Sequence, residues 1–231
     1  MQGHAYTAAA LPPRRPRAIP RGRPGAASAI GVALVCLLAG AGVWALADLV
    51  PAAQLKDAVA LERFTSLASP GVDEAGNFLI HLLDPREFIL WAIALVALAL
   101  ARERPRLALA AVAVMSLAPF TAETLKPLVA HPHVELGALQ VGAASWPSGH
   151  SSAALALAMS AVLVAPPRLR VPVAILGGAF ALAVGCSLLI LAWHMPSDVI
   201  GGYLVATFWT ALAVAALRAA DRRWPPQRLS S

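Results

Sequence analysis

Continuous apolar runs recur along this chain, and short segments rich in arginine or other polar residues separate them. A helix needs about 20 apolar residues to cross a bilayer core, and the longest runs meet that length. Lipid offers the backbone no hydrogen bonds, so a continuous apolar segment can cross it only as an α-helix. The composition agrees, because 59% of the residues are hydrophobic and 13% are charged, against about 25% charged in an average soluble domain. The sequence therefore predicts an all-α integral membrane protein.

Six membrane-spanning helices, forming a bundle, are predicted from the apolar runs. They cover roughly residues 28–50, 85–101, 107–121, 148–165, 171–192 and 197–217. The first run ends in Ala45-Leu46-Ala47, which resembles a signal-peptidase site, so a cleaved signal peptide is the alternative to a retained helix. The run is longer than the apolar region of a signal peptide, which favours retention. Residues 51–83 mix charged and apolar groups and predict an external loop with interfacial helical pieces.

The basic residues predict the orientation of the bundle. Of the 18 lysines and arginines, 14 lie in residues 1–27, 102–106, 166–170 and 218–231, which fall on one side of the six spans. The positive-inside rule places that side, with both termini, in the cytoplasm. We thus expect a disordered basic tail at 1–27, a membrane domain at 28–217 and a second basic tail at 218–231. The expected location is a bacterial-type inner (plasma) membrane, with multiple passes.

The net charge of +6 is also compatible with a nucleic-acid partner. The arginines, however, are concentrated in the short segments between apolar runs and in the two tails, which is typical of membrane topology. We therefore predict membrane lipids as partners and no nucleic acid. The sequence leaves the oligomeric state open.

A short polar turn, residues 146–150, precedes the fourth predicted span. Ser148 stands where an N-cap would begin the helix, whose first N–H groups and positive dipole end can bind an anion. His150 follows in the first turn. A second polar cluster, residues 194–198, precedes the sixth span, and Lys126 follows the third. The predicted topology brings all three segments to the outer face.

These residues, in this order, resemble the three-part signature of the type 2 phosphatidic acid phosphatase (PAP2) superfamily, over residues of about 90–217. Its members include integral-membrane lipid phosphatases. The resemblance implies that His194 is the nucleophile, that Asp198 orients its imidazole and that His150 protonates the leaving group. It also implies a set of groups that bind the phosphoryl oxygens: Lys126, Ser148, and the backbone amides of Gly149 and His150.

The chain departs from the family pattern at two positions. The first motif is K-x6-R-P, and His133 occupies its arginine position after Lys126; Leu188 occupies the arginine position of the third motif. We expect His133 to contact the substrate in place of the arginine. A guanidinium donates two parallel bonds and stays charged, whereas histidine donates one and is often neutral at pH 7.

The expected function is hydrolysis of a lipid phosphate or diphosphate at the outer face, through a phosphohistidine intermediate. Polyprenyl diphosphate, phosphatidic acid and phosphatidylglycerol phosphate are the candidate substrates that the resemblance implies. We predict no cofactor and no metal, because the loop holding His131 and His133 has no further ligand at zinc spacing. The alternative is a catalytically impaired member that binds a lipid phosphate headgroup without turnover. A transporter is disfavoured, because the predicted spans carry no ionisable residue at mid-membrane.

Each candidate residue also has a purely structural interpretation. Asp198 could only cap the sixth helix, and Lys126 could form a helix-surface ion pair with Glu123. His150 and His194 could be interfacial histidines with a satisfied hydrogen bond. The functional hypothesis depends on their combination, in order and on one face.

Overall fold

The computed structural model describes residues 25–132 and 141–224. All regular structure within these ranges is helical, which confirms the predicted all-α class. There are eight α-helices in the described ranges: α1 (Ala26–Leu49), α2 (Pro51–Thr65), α3 (Pro70–His81), α4 (Pro85–Ala101), α5 (Pro105–Leu125), α6 (Gly149–Val164), α7 (Arg170–Ile190) and α8 (Pro196–Arg223). A 3₁₀ helix, Pro167–Leu169, precedes α7.

Proline begins five of the eight described α-helices. Its missing N–H costs nothing at the first helical position, and its fixed φ suits the helix. The predicted start of α4 at Pro85 is confirmed. α2 and α3 occupy the segment predicted as a loop with helical pieces, and together they fill most of it.

Four helical segments in the described part are long and apolar enough to cross a membrane: Ala26–Leu49, Pro105–Leu125, Pro167–Ile190 and Pro196–Arg223. α4 and α6 have 17 and 16 residues, or about 25 Å of helix against a bilayer core of about 30 Å. The chain is a multi-pass membrane protein, while the count of six spans and the orientation stay predictions. α8 continues to Arg223, beyond the predicted end at 217, and most of the predicted tail at 1–27 lies outside the described residues.

The central helix of the bundle is α6, which packs against α4, α5, α7 and α8. Its buried residues are glycine, serine and alanine, apart from Val164. Small side chains let helix backbones approach closely inside a membrane. α1 packs mainly against α8, and α3 packs against α7. Four helices therefore surround α6.

Candidate functional site

The turn before α6 is tied to the start of α8. Ser148 is the N-cap of α6, as predicted, and its Oγ accepts a hydrogen bond from Ser151 N at 3.3 Å. The backbone N–H of Ser148 donates to the carbonyl of Asp198 at 2.9 Å. Ser151 Oγ donates to the carbonyl of Val199 at 3.1 Å. These bonds place the N-termini of α6 and α8 side by side.

Two glycines of α8 permit this close approach. A Cβ atom at Gly202 would overlap Ser151 Oγ and the carbonyl oxygen of Ser148. A Cβ atom at Gly201 would lie 2.6 Å from Trp146 Nε1. Any larger side chain at either position would push α8 away from the turn.

His194 and Asp198 form an oriented pair at the start of α8. Asp198 Oδ2 lies 3.2 Å from His194 Nδ1 and accepts the backbone N–H of Met195 at 2.8 Å. Both side chains are buried, with 7% of His194 and none of Asp198 exposed. A carboxylate oxygen can only accept, so Nδ1 carries the hydrogen and Nε2 presents its lone pair. The N-cap of α8 is Met195, the residue that follows His194.

His150 lies close to this pair. It is the second residue of α6, and its ring meets that of Trp193 edge to face with centroids 5.9 Å apart. His194 and Lys126 both lie near enough to His150 to interact with it electrostatically. The structure therefore brings His150, His194 and Lys126 together at the N-terminus of α6.

Lys126 immediately follows α5, and its Nζ pairs with Glu123 Oε1 at 2.7 Å. A Cβ atom built on Gly149 would overlap Glu123 Oε1 and lie 3.7 Å from Lys126 Nζ. The ion pair that the sequence allowed as an alternative is thus present. The ion pair lies beside Gly149, the first residue of α6, and therefore at the candidate anion site.

A cavity of about 480 Å³ opens beside this end of α6. Gly149, His150 and Glu123 line it at one end. Most of the remaining lining comes from apolar residues of α4 and α5: Phe88, Ile89, Ala92, Val112, Met115 and Pro119. A polar end and an apolar body suit a ligand with a polar headgroup and a hydrocarbon chain.

Two positions that the family fills with arginine differ here. His133 lies outside the described residues. Leu188 is fully buried in a hydrophobic cluster, and the preceding Ser187 Oγ donates to the carbonyl of Ala183 at 2.9 Å. α3 packs tightly here, because a Cβ atom on Gly76 would lie 3.2 Å from Ser187 Cβ. Leu188 therefore belongs to the hydrophobic core.

Asp57 of α2 makes a contact with Ser197 that no sequence pattern indicated. Its Oδ1 accepts the backbone N–H of Ser197 at 3.2 Å, and its Oδ2 accepts the Ser197 hydroxyl at 2.5 Å. Ser197 immediately precedes Asp198, so α2 fixes the first turn of α8. The two partners are 140 positions apart, and neither motif spacing nor periodicity relates them.

Within residues 25–132 and 141–224, no three His, Cys, Asp or Glu side chains cluster as a metal site would require.

The fold and the site define a helical membrane protein in which an oriented histidine stands beside a helix N-terminus that carries a second histidine. A family model described as the PAP2 superfamily matches residues 88–222. The match covers more than half of the chain, so this protein belongs to the PAP2 superfamily, as the motif residues indicated.

One solved structure has a fold similar to that of this protein. A solved structure of a transmembrane PAP2-type phosphatidylglycerolphosphate phosphatase from Bacillus subtilis is 21% identical in sequence and superposes with a TM-score of 0.65. The similarity covers 87% of this chain and 98% of that one. No match was found among curated protein sequences.

Proposed function

We propose that this protein is a lipid phosphatase that hydrolyses a phosphomonoester or diphosphate of a membrane lipid. The observation that carries the proposal is the hydrogen bond from His194 Nδ1 to the buried Asp198, at the start of α8 and beside the N-terminus of α6. The family membership and the apolar cavity beside His150 support a lipid substrate. Phosphatidic acid, phosphatidylglycerol phosphate and polyprenyl diphosphates are the candidate substrates.

In the first proposed step, His194 Nε2 attacks phosphorus and the bond from phosphorus to the leaving oxygen breaks. Protonated His150 gives its proton to that oxygen, which leaves as an alcohol or a phosphate. The product on the protein is a phosphohistidine. Asp198 stabilises the positive charge that develops on His194 and holds its ring in place.

In the second proposed step, water attacks the phosphohistidine and breaks the phosphorus–nitrogen bond. His150, now neutral, takes a proton from the water, and inorganic phosphate leaves. Lys126 and the first backbone amides of α6 would stabilise the oxygens in both transition states, a role worth about 10²–10³ in rate for one donor. The Ser148 hydroxyl, which caps α6, and His133 are further proposed contacts.

The second candidate function is headgroup binding without turnover. The arginine position of the third motif is the buried Leu188, so that position supplies no guanidinium to the phosphoryl group. Arginine binds phosphate bidentately and never loses its charge. A site without this contact could still hold a lipid phosphate while catalysing poorly.

One assay separates the two functions. Purified full-length protein in detergent is incubated with the candidate lipids, in EDTA, and inorganic phosphate is measured. We expect turnover by the wild type, none by His194→Ala, and normal turnover by His81→Ala, which removes an exposed histidine at the end of α3. Acid quenching with labelled substrate should leave phosphate on the wild type and not on His194→Ala. Binding without release of phosphate would favour the headgroup-binding function.

A further inference from the structure

Glu123 lies in the last turn of α5, where it pairs with Lys126. The Lys126 side chain is 20% exposed and the Glu123 side chain is 59% exposed. Glu123 also lines the cavity and lies near enough to His150 to interact with it electrostatically. A carboxylate therefore stands among the groups that the proposed mechanism assigns to the phosphoryl oxygens.

The Glu123 carboxylate lies beside the first residue of α6, Gly149. A Cβ atom on Gly149 would overlap Glu123 Oε1, so the carboxylate lies directly against that residue. The first backbone N–H groups of a helix have no partner within the helix and attract anions. Glu123 thus pairs with the Lys126 ammonium and lies against the start of α6, two features that a phosphoryl group would need.

We infer that the Glu123 carboxylate competes with the substrate's phosphoryl group for Lys126 and the N-terminus of α6, and so sets the affinity for phosphate. The inference rests on the proposed function, whose phosphoryl site it concerns. Two anions that share one cation repel each other. Because Glu123 is more than half exposed, it can rotate into solvent at a small cost when a phosphoryl group binds.

A lipid substrate gains affinity from the apolar cavity as well as from its headgroup. Inorganic phosphate has only the headgroup contacts, and Glu123 competes for these. Weak binding of free phosphate then lets the product leave while the lipid is still bound well.

The test measures binding of inorganic phosphate without requiring turnover. A ligand that binds only the folded state stabilises it by RT ln(1 + [L]/Kd), so the Kd for phosphate is obtained from the rise of Tm with phosphate concentration for full-length protein in detergent. Glu123→Gln should lower this Kd by about threefold or more, from the usual strength of an exposed ion pair. Glu123→Asp, which keeps the charge on a shorter stem, should fall between it and the wild type. Glu74→Gln removes an exposed carboxylate of α3 and should match the wild type.

An unchanged or higher Kd for phosphate in Glu123→Gln would overturn the inference, because Glu123 would then be neutral or would assist binding by holding Lys126. The two proposals fail separately. Turnover of lipid phosphates with no effect of Glu123→Gln on phosphate binding would leave the proposed function intact. Tighter phosphate binding by Glu123→Gln in a protein that releases no phosphate from any lipid would leave the inference intact.

Discussion

Asp198 serves both His194 and the helix that carries it. One oxygen, Oδ2, accepts the N–H of Met195 and also faces His194 Nδ1. The first contact caps α8, and the second orients the imidazole. The two interpretations that the sequence offered for Asp198, a cap and an orienting group, are thus compatible. Because the Asp198 side chain is fully buried and also accepts the N–H of Met195, it allows the His194 ring little freedom to rotate.

His150 provides a prediction at the scale of one residue. If it protonates the leaving oxygen, His150→Ala should slow hydrolysis of phosphatidic acid by about 10²–10⁴, since an alkoxide leaves poorly without a proton. Hydrolysis of p-nitrophenyl phosphate should slow by about tenfold or less in the first step, because nitrophenolate needs no proton. Burst kinetics of phosphohistidine formation with both substrates would measure the difference. Equal losses would remove the acid role from His150.

Contacts between residues close in sequence could be predicted, whereas contacts that form only when distant segments pack together could not. The pairing of His194 with Asp198 follows from their spacing of four, and the cap at Ser148 follows from its place before an apolar run. The Asp57–Ser197 contact joins positions 140 apart. The place of Glu123 against Gly149 depends on how α5 packs on α6. Sequence reasoning identified Glu123 only as a partner of Lys126.

The packing of α6 against α8 determines the geometry of the site at the scale of elements. Each helix brings one histidine, and hydrogen bonds from Ser148 and Ser151 to carbonyls of α8 join their starts. Gly202 makes room for those bonds. The distance between the two histidines therefore depends on a residue that has no side chain.

Gly202→Ala should weaken both stability and activity. The added Cβ would overlap backbone as well as a side chain, and overpacking of this kind costs about 1–3 kcal/mol. We expect a lower Tm and a lower kcat, because the starts of α6 and α8 would move apart. Gly178→Ala is the matched control, since a Cβ there meets nothing within 4 Å. A Gly202→Ala protein with wild-type Tm and kcat would contradict this account of the packing.

The helices themselves were largely predictable, because proline marks their starts and apolar runs give their lengths. The positions at which the helices end were less predictable. α5 continues through Pro119 to Leu125, beyond the predicted end at Thr121, and α8 continues to Arg223. Neighbouring helices stabilise these extra turns, and no local residue signals them. α2 and α3 are two full helices, since their packing on α1, α7 and α8 stabilises segments of mixed composition.

At the scale of the whole molecule, three arginines, Arg102, Arg106 and Arg170, lie at the end of the bundle opposite the candidate site. Arg102 donates to the carbonyl of Val164, at the C-terminus of α6, and Arg170 Nε donates to the carbonyl of Ala165 at 3.3 Å. Arg106 pairs with Asp221 at 2.9 Å. Arg102 and Arg170 thus satisfy carbonyls at the C-terminus of α6, which have no partner within the helix. The positive-inside rule would place this end in the cytoplasm and the candidate site at the outer face.

Cysteine labelling tests the six-span topology and its orientation. In a background with Cys36→Ala and Cys186→Ala, which removes both native thiols, a single cysteine is introduced at the exposed Ala68, Glu103 or Leu128. Intact cells are then treated with a membrane-impermeant maleimide. We expect labelling at 68 and 128 and none at 103 until the membrane is opened, because α4 and α5 each cross between these positions. The opposite pattern would place the site in the cytoplasm. Labelling of all three in intact cells would show that α4 and α5 do not both cross, and the six-span topology would be wrong.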